Sequence, residues 1–428
     1  MVFDPLGEQE RIEELRRERP RSLPIAPRAG LALRKLPLLD DVRPIDQAWR
    51  PRYCVWEITL ACDLACRHCG SRAGRARPDE LSTDEALDLV RQMADLGVQE
   101  VTLIGGEAYL REDWLQILDA LVARNILVGM TTGGRGLTEE RVAQAKAHGL
   151  RGVSISLDGD RDTHDRLRGV EGSYDAALQA MKRAKAAGLR VYCNTQINRL
   201  SIPHLPRILE TMGEVGASAW QIQLTVPMGR AADEPSVLVQ PYDLLELFPM
   251  LAELKARADE LGIRVWTGNN LGYFGPFETT MRGHYPFGHG GSCGAGRLSL
   301  GIEANGAIKG CPSLPTASYT GGNIRDASLK DIWERSEPLR FTRSRTVDDL
   351  WGFCKGCYYG KECLAGCNWT SHVTLGKPGN NPFCHHRALE MQRMGKRERI
   401  VRVSPATGEP FDHGAFEIVE EELSNDRR

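Results

Sequence analysis

The sequence predicts an α/β fold in which six βα units form an incomplete parallel barrel, followed by a smaller cysteine-rich region. Between Tyr53 and Trp266, strand-like apolar runs alternate with segments of helical period. This order favours a parallel sheet with helices outside it, and six units suit a partial barrel better than a closed eight-stranded one. Seven of the twelve cysteines lie after residue 290.

The boundaries of these units follow from periodicity and from capping residues. Ser82 and Thr138 each stand where a helix N-cap is expected, with acidic residues in the next turn. The predicted strands are 53–59, 100–104, 127–131, 152–157, 189–197 and 219–226, and the helices between them are 83–96, 112–123, 138–148, 174–187 and 202–215.

Length and composition narrow the class of protein. The 428 residues are enough for two or three domains with a sizeable core. With a net charge of −2, the chain has no feature that calls for nucleic acid or a membrane as partner. No apolar run reaches the ~18 residues of a spanning helix, and the N-terminus is charged, unlike a secretory signal. We therefore expect a cytoplasmic protein.

The predicted organisation has five parts. Residues 1–50 form an N-terminal extension with one helix at Glu8–Arg19. In the C-terminal tail, Ile400–Val403 pairs with Phe416–Val419 as a hairpin, and the acidic end Glu420–Arg428 is solvated. The five parts are the extension 1–50, the barrel 51–270, a bridging loop 271–292, the cysteine-rich domain 293–390 and the tail 391–428.

Three cysteines follow the first predicted strand at C-x3-C-x2-C spacing: Cys62, Cys66 and Cys69. Three thiolates at these intervals can hold three irons of a cubane cluster and leave the fourth iron open to a small chelator. Zinc is the alternative, but it calls for a fourth ligand, and His68 is badly placed beside Cys69. The isolated Cys54 and Cys193 lie in strand-like runs and are expected to be buried hydrophobic residues.

This triplet resembles the signature of the radical S-adenosylmethionine (SAM) superfamily. The resemblance implies that Cys62, Cys66 and Cys69 hold a [4Fe-4S] cluster whose open iron chelates SAM. It also implies one-electron reduction by a donor such as flavodoxin or ferredoxin. SAM is then cleaved to a 5′-deoxyadenosyl radical that abstracts hydrogen from the substrate, and the protein contributes position and exclusion of water.

A second motif of the superfamily follows the second strand. Gly105, Gly106 and Glu107 resemble its Gly-Gly-Glu motif, which holds the methionyl amine of SAM. Glycines permit close backbone approach, and a carboxylate suits an ammonium. The family usually has proline where this chain has Ala108. A simple turn is the alternative, but the position one βα unit after the triplet favours the motif.

The fourth strand carries alternating polar residues, which should share a face with Asp158. By resemblance, Ser156 contacts SAM and Arg168 binds its carboxylate; Asn194 and Gln196 are weaker candidates. Alternatively, Arg168 only pairs with a neighbouring acid such as Asp165.

The later cysteines are similar to the SPASM domain, an extension of many radical SAM maturases that binds two auxiliary [4Fe-4S] clusters. Only one C-x2-C pair is present, which argues against a zinc ribbon. Pro312 stands where relatives that oxidise sulfatases have a catalytic Asp, so that activity is disfavoured. Some relatives supply a fourth cysteine for the inner cluster just upstream of its first one, but no cysteine lies between Cys193 and Cys293 here. Either another ligand (Asp, His or water) completes the inner cluster, or its open iron meets the substrate. The resemblance assigns Cys354, Cys357, Cys363 and Cys384 to the outer cluster and Cys293, Cys311 and Cys367 to the inner one.

These resemblances imply a radical SAM enzyme that modifies a ribosomally synthesised peptide by crosslinking, oxidation or epimerisation. The alternative is oxidation or decarboxylation of a small molecule such as a tetrapyrrole intermediate. A pure electron-transfer scaffold would leave the SAM motifs unexplained. Residues 1–50 are too short for a leader-peptide-binding module, so any such module is expected to be a separate protein. No individual catalytic residue emerges from the sequence.

Overall fold

The computed structural model describes residues 38–284 and 292–423, all within the packing unit Leu36–Arg428. The helix expected at Glu8–Arg19 lies outside the described residues. At the beginning of the described chain, Asp46 is fully buried and pairs with Arg340 and Arg343, both at 3.1 Å. This end of the extension is therefore attached to the cysteine-rich part of the molecule.

One sheet forms the centre of the fold, with strand order β10-β9-β8-β1-β2-β3-β4-β5-β6-β7. Strands β1 to β7 pair in parallel in chain order. The strands are β1 (Tyr53–Glu57), β2 (Glu100–Ile104), β3 (Leu127–Thr132), β4 (Gly152–Ser156), β5 (Arg190–Ile197), β6 (Ala219–Leu224), β7 (Arg264–Thr267), β8 (Ser299–Ile302), β9 (Ala307–Lys309) and β10 (Gly322–Asn323).

All six predicted strands are present, and their ends differ from the predictions by no more than two residues. The sequence did not predict the four further strands. Strand β7 extends one edge, and β8 pairs in parallel with β1, so that the cysteine-rich part continues the barrel sheet. The α/β fold class with a parallel sheet is confirmed.

The helices cover the sheet between successive strands, and the two predicted N-caps are confirmed. Ser82 accepts a hydrogen bond from the Glu85 N–H, and Thr138 accepts one from the Arg141 N–H. The helices are α1 (Pro44–Ala48), α2 (Thr83–Leu96), α3 (Trp114–Val122), α4 (Glu139–Ala147), α5 (Arg161–Arg168), α6 (Ser173–Ala186), α7 (Leu205–Val215), α8 (Arg230–Asp233), α9 (Leu244–Glu260), α10 (Glu278–Arg282), α11 (Thr316–Tyr319), α12 (Leu329–Arg335), α13 (Glu337–Arg340), α14 (Gly360–Cys363), α15 (Asn368–Leu375) and α16 (His385–Arg393). Short 3-10 turns occur at Ala108–Leu110, Ile202–His204, Pro235–Val237, Pro241–Asp243, Asn269–Leu271, Gly275–Phe277, Val347–Asp349 and Gly352–Gly356.

The core consists of apolar residues from the strands and from the inner faces of the helices. Cys54 and Cys193 belong to it and are fully buried, as predicted. Within residues 38–284 and 292–423, every helix is too short or too polar to traverse a lipid bilayer.

The C-terminal residues form an antiparallel hairpin of β11 (Lys396–Ser404) and β12 (Ala415–Glu422), in which Ile400 faces Ile418. The predicted hairpin is confirmed. Of the acidic end, Glu420 to Glu422 belong to β12 and not to a free tail, so that part of the prediction is wrong, but Glu420 and Glu422 are solvent-exposed as predicted; the structure describes the chain as far as residue 423. Basic residues of β11 attract this segment, because Lys396 lies 3.1 Å from Glu420 and Arg397 lies 2.8 Å from Glu421.

Candidate active site

A cleft of about 520 Å³ opens along the inner face of the barrel, and both groups of predicted metal ligands contribute to it. Cys62, Cys66 and Cys69 line one part, while Cys311 and Cys367 of the cysteine-rich part line another. Ligands bind at the carboxyl ends of strands in parallel α/β sheets. The cleft therefore connects the two regions that the sequence singled out.

The loop that carries Cys62, Cys66 and Cys69 is fixed from two sides. At the C-terminal end of α5, the carbonyls of Arg168 and Leu167 accept hydrogen bonds from the N–H groups of Ala65 (3.0 Å) and Arg67 (2.8 Å). The last carbonyls of a helix have no partner within the helix and are available for such contacts. On the other side, Arg230 Nε donates to the Cys66 carbonyl at 2.7 Å. The cysteine loop is thus positioned by α5 and α8.

The two glycines of the Gly-Gly-Glu motif are required by packing against this loop. A Cβ at Gly105 would lie 2.4 Å from the Thr59 carbonyl oxygen, and one at Gly106 would lie 2.0 Å from that of Ala61. The Gly106 N–H donates to the Thr59 carbonyl at 2.9 Å. The close backbone approach expected from the sequence therefore occurs, and the segment approached is the cysteine loop.

Glu107 is 2% exposed and lies beside the cysteine loop. Its carboxylate accepts hydrogen bonds from Thr132 Oγ1 (2.5 Å) and the Gly133 N–H (2.7 Å). Single ligand atoms of Cys62, Asp63 and Glu107 lie within 4.8 Å of one another. Burial raises the pKa of Glu107 to about 7, although both hydrogen bonds favour the charged form. A cation next to Glu107 would therefore be bound with a gain in electrostatic energy.

Ser156 and Arg168 both line the cleft, together with Asn194 and Gln196. Ser156 Oγ donates to Asn194 Oδ1 at 3.0 Å. Arg168 pairs with Asp158 at 2.5 Å and donates to Cys66 Sγ at 3.6 Å.

The alternative partner considered for Arg168, Asp165, is not its partner. The Asp165 carboxylate instead accepts hydrogen bonds from the N–H groups of Gly172 and Tyr174, at the beginning of α6.

The four cysteines expected at the outer cluster line one small cavity with an almost entirely apolar wall. Tyr273 and Tyr359 also line it, and their rings lie 4.6 Å apart. Burial raises the pKa of each of the four thiols above its ordinary value, so iron must displace protons when it binds. Four cysteines around one apolar cavity fit a [4Fe-4S] cluster. These residues are Cys354, Cys357, Cys363 and Cys384.

The three cysteines expected at the inner cluster are also neighbours. Burial, together with the nearby charge of Cys293, raises the pKa of Cys311 to about 11 and that of Cys367 to about 12. Cys293 and Cys311 pack against the same small group of buried residues around Leu314. Three neighbouring thiols, two of which (Cys311 and Cys367) border the cleft, fit a cluster, and the structure assigns no fourth ligand among the described residues.

Several residues of the cleft wall were not predicted from the sequence, including Glu57, Gln221 and Gln223. Alternation along the predicted strands gave a usable signal for them, because Glu57 shares a face of β1 with Tyr53 and Val55. Phe411 also lines the cleft, and it comes from the loop of the C-terminal hairpin. The sequence near Phe411 contains no pattern that would predict this position. The hairpin loop is held there by a hydrogen bond from the Phe411 N–H to the Gly70 carbonyl at 3.0 Å.

Comparison with known proteins agrees with both regions. Residues 56–207 match the family model of the radical SAM superfamily, and residues 293–358 match that of the SPASM iron–sulfur cluster-binding domain. The AdoMet-dependent heme synthase of Nitratidesulfovibrio vulgaris is 29% identical over 78% of this chain and 92% of its own length. The mycofactocin maturase MftC of Mycolicibacterium smegmatis is 30% identical over 80% of this chain and 86% of its own length.

The fold has solved counterparts. SuiB of Streptococcus suis, in a crystal structure with its precursor peptide SuiA, superposes with a TM-score of 0.59 at 17% identity and covers 88% of this chain and 86% of its own. At this identity the likeness concerns the fold alone. Both family models match, a relative is 30% identical, and the predicted cysteine ligands lie together in the structure. The chain is therefore a radical SAM enzyme with a SPASM domain, and its cofactors are SAM and [4Fe-4S] clusters.

Proposed function

We propose that this enzyme modifies a ribosomally synthesised peptide, by crosslinking, oxidation or epimerisation of a residue held in the cleft. The observation that carries the proposal is the chemistry of the cleft wall. Among its described residues, side-chain amides and hydroxyls predominate over free charges. Amide side chains can both donate to and accept from a peptide backbone. The wall amides are Asn194, Gln196, Gln221, Gln223, Asn269 and Asn270.

The cations of the cleft support a peptide over a tetrapyrrole. A tetrapyrrole intermediate carries several carboxylates, and carboxylates are best bound by arginine or lysine. Two arginines line the described wall, and neither is left over for a substrate: Arg168 pairs with Asp158 and is assigned to SAM in this proposal, while Arg230 donates to the carbonyls of Cys66 and Ala73. A polycarboxylate in the cleft would therefore find few arginines available to bind its carboxylates.

For the SAM site, we propose that Cys62, Cys66 and Cys69 hold the cluster that binds SAM. Glu107 accepts hydrogen bonds from the methionyl ammonium, and Gly105 and Gly106 hold the loop beside it. When bound, the reduced cluster and SAM supply a hydrogen-abstracting 5′-deoxyadenosyl radical. Ser156 and Arg168 contact the carboxylate of SAM, and Arg168 Nε has no hydrogen-bond partner among the described residues.

For the auxiliary sites, Cys354, Cys357, Cys363 and Cys384 would hold the outer cluster, and Cys293, Cys311 and Cys367 the inner one. Cys311 and Cys367 border the cleft, which supports contact between the inner site and the bound substrate. Low-dielectric surroundings and hydrogen bonds to sulfur tune such clusters. We retain residues 51–270 as the barrel and 293–390 as the SPASM domain.

Two further partners belong to this proposal: an electron donor such as flavodoxin or ferredoxin, and a separate protein that binds the leader of the peptide. We also place the enzyme in the cytoplasm. All twelve cysteines are free, and a reducing compartment keeps thiols available for iron.

Two measurements test these assignments. Anaerobically reconstituted protein should bind about twelve irons, from three clusters. The triple variant Cys62→Ala, Cys66→Ala, Cys69→Ala should lose about four of them and all SAM cleavage. Four irons in the wild type would contradict the three-cluster assignment.

For the substrate, the reduced enzyme is incubated with SAM and with synthetic peptides encoded by short reading frames beside its gene. The expected result is a mass change in one peptide that depends on SAM. Loss of a side-chain carboxylate from an iron tetrapyrrole, with every peptide unchanged, would establish the alternative function.

A further inference from the structure

A buried ion pair lies directly behind the cysteine loop, on the side of Cys66. Arg168 extends from the last turn of α5, and its Nη1 donates to Cys66 Sγ at 3.6 Å. Its Nη2 lies 2.5 Å from Asp158 Oδ2. Asp158 is fully buried, and Arg168 is 7% exposed. Water therefore screens neither charge well.

Asp158 is held in place by further contacts. Its Oδ1 accepts the Gln196 N–H at 2.9 Å, and its own N–H donates to His164 Nδ1 at 3.1 Å. His68 Nε2 lies 3.5 Å from Asp158 Oδ2. The carboxylate is thus fixed at the end of β4 and fixes the guanidinium in turn. The positively charged Arg168 therefore contacts the Cys66 sulfur, and the negatively charged Asp158 lies behind Arg168.

We propose that Arg168 and Asp158 form a charge pair that sets the reduction potential of the SAM-binding cluster, with Arg168 raising the potential and Asp158 opposing it. The inference rests on the proposed assignment of Cys66 as a cluster ligand. Reduction adds one electron to the cluster and makes or breaks no bond to these residues. A donor to a cluster sulfur stabilises the more negative, reduced state, and a carboxylate nearby destabilises it.

This role differs from a SAM contact because it acts before SAM binds. Asp158 acts on the cluster by its own negative charge, in addition to holding Arg168 in place. The two charges have opposite signs, so neutralising each one should move the potential in opposite directions. Damage to the loop would not produce shifts of opposite sign.

The test is a potentiometric titration of reconstituted enzyme followed by electron paramagnetic resonance, first without SAM. The signal that changes when SAM is added identifies this cluster. Arg168→Gln should lower its potential by about 59 mV or more, a tenfold change in the one-electron equilibrium. Asp158→Asn should raise it by a similar amount. Arg168→Lys, which keeps the charge, should lie between Arg168→Gln and wild type.

Asp162→Asn is the matched control, because it removes an exposed carboxylate from the same helix. It should leave the potential unchanged. Unchanged potentials in both Arg168→Gln and Asp158→Asn, or shifts of the same sign, would overturn the inference. If Arg168→Gln does not retain the cluster, the Asp158→Asn shift still tests the inference: a raised potential supports it, and a lowered or unchanged potential overturns it. Iron counting separates failure of the ligand assignment from failure of the charge pair.

Discussion

Replacing Glu57 by glutamine should stabilise the enzyme at alkaline pH. Glu57 lines the cleft at 2% exposure, and its Oε2 has no hydrogen-bond partner among the described residues. The Ala304 N–H reaches its Oε1 at 3.4 Å, and Arg77 lies 3.7 Å away. Burial, reinforced by the neighbouring Glu303, raises the pKa of Glu57 from 4.5 to about 8.

The sign and size of the effect follow from linkage. A carboxyl with a raised folded-state pKa favours the folded protein only while protonated, so its contribution is complete below pH 4.5 and is lost as the pH rises through 8. The loss in the free energy of unfolding is about 1 kcal/mol at pH 5 and about 4 kcal/mol at pH 8. Glutamine does not ionise, so Glu57→Gln avoids this loss in the free energy of unfolding.

The assay compares melting temperatures of wild type and Glu57→Gln by anaerobic scanning fluorimetry at one heating rate. For a chain of this length, a change of about 3 kcal/mol corresponds to about 3 °C. The advantage of Glu57→Gln should be small at pH 5 and grow to a few degrees at pH 8. An advantage independent of pH, or one that shrinks as the pH rises, would refute the reasoning.

Glu303→Gln is the matched control from the same buried group. Burial would raise the pKa of Glu303, but Lys309 at 2.8 Å and Arg77 at 3.0 Å outweigh it and hold the pKa below its usual range. Its removal takes away the carboxylate paired with the buried Lys309, and losing the partner of a buried charge is costly. Glu303→Gln should therefore melt below wild type at both pH values.

Three further predictions concern the cysteine loop, SAM and the hairpin. Gly106→Ala should lose about four irons, because its Cβ would lie 2.0 Å from the Ala61 carbonyl oxygen; a full iron content would contradict this. Glu107→Ala should weaken SAM binding about 10- to 100-fold in calorimetry, the value of a charge-assisted hydrogen bond, and an unchanged affinity would remove Glu107 from the SAM site. Asp412→Ala should speed amide hydrogen exchange in the hairpin loop, because Asp412 binds Arg72 at 2.9 Å and accepts the Gly408 N–H; unchanged exchange would show that other contacts hold the loop.

Local features of the fold and site were predictable because they depend on residues close in sequence. Strand and helix periods gave all six barrel strands, and Ser82 and Thr138 gave two helix starts. Cys62, Cys66 and Cys69 are within eight residues, so their spacing alone limits what they can bind. The hairpin prediction also succeeded, because two short apolar runs, Ile400–Val403 and Phe416–Val419, lie on either side of a segment that contains Pro and Gly.

The tertiary structure decided what depends on residues far apart in the chain. The sequence determined that this chain has a parallel α/β barrel, a three-cysteine loop and a cysteine-rich C-terminal part. It did not determine that β8 adds to β1, that Phe411 enters the cleft, or that Arg168 pairs with Asp158 beside Cys66. These contacts are selected by packing and by the cost of leaving a buried charge unpaired, which act through space and leave no periodic trace in the sequence.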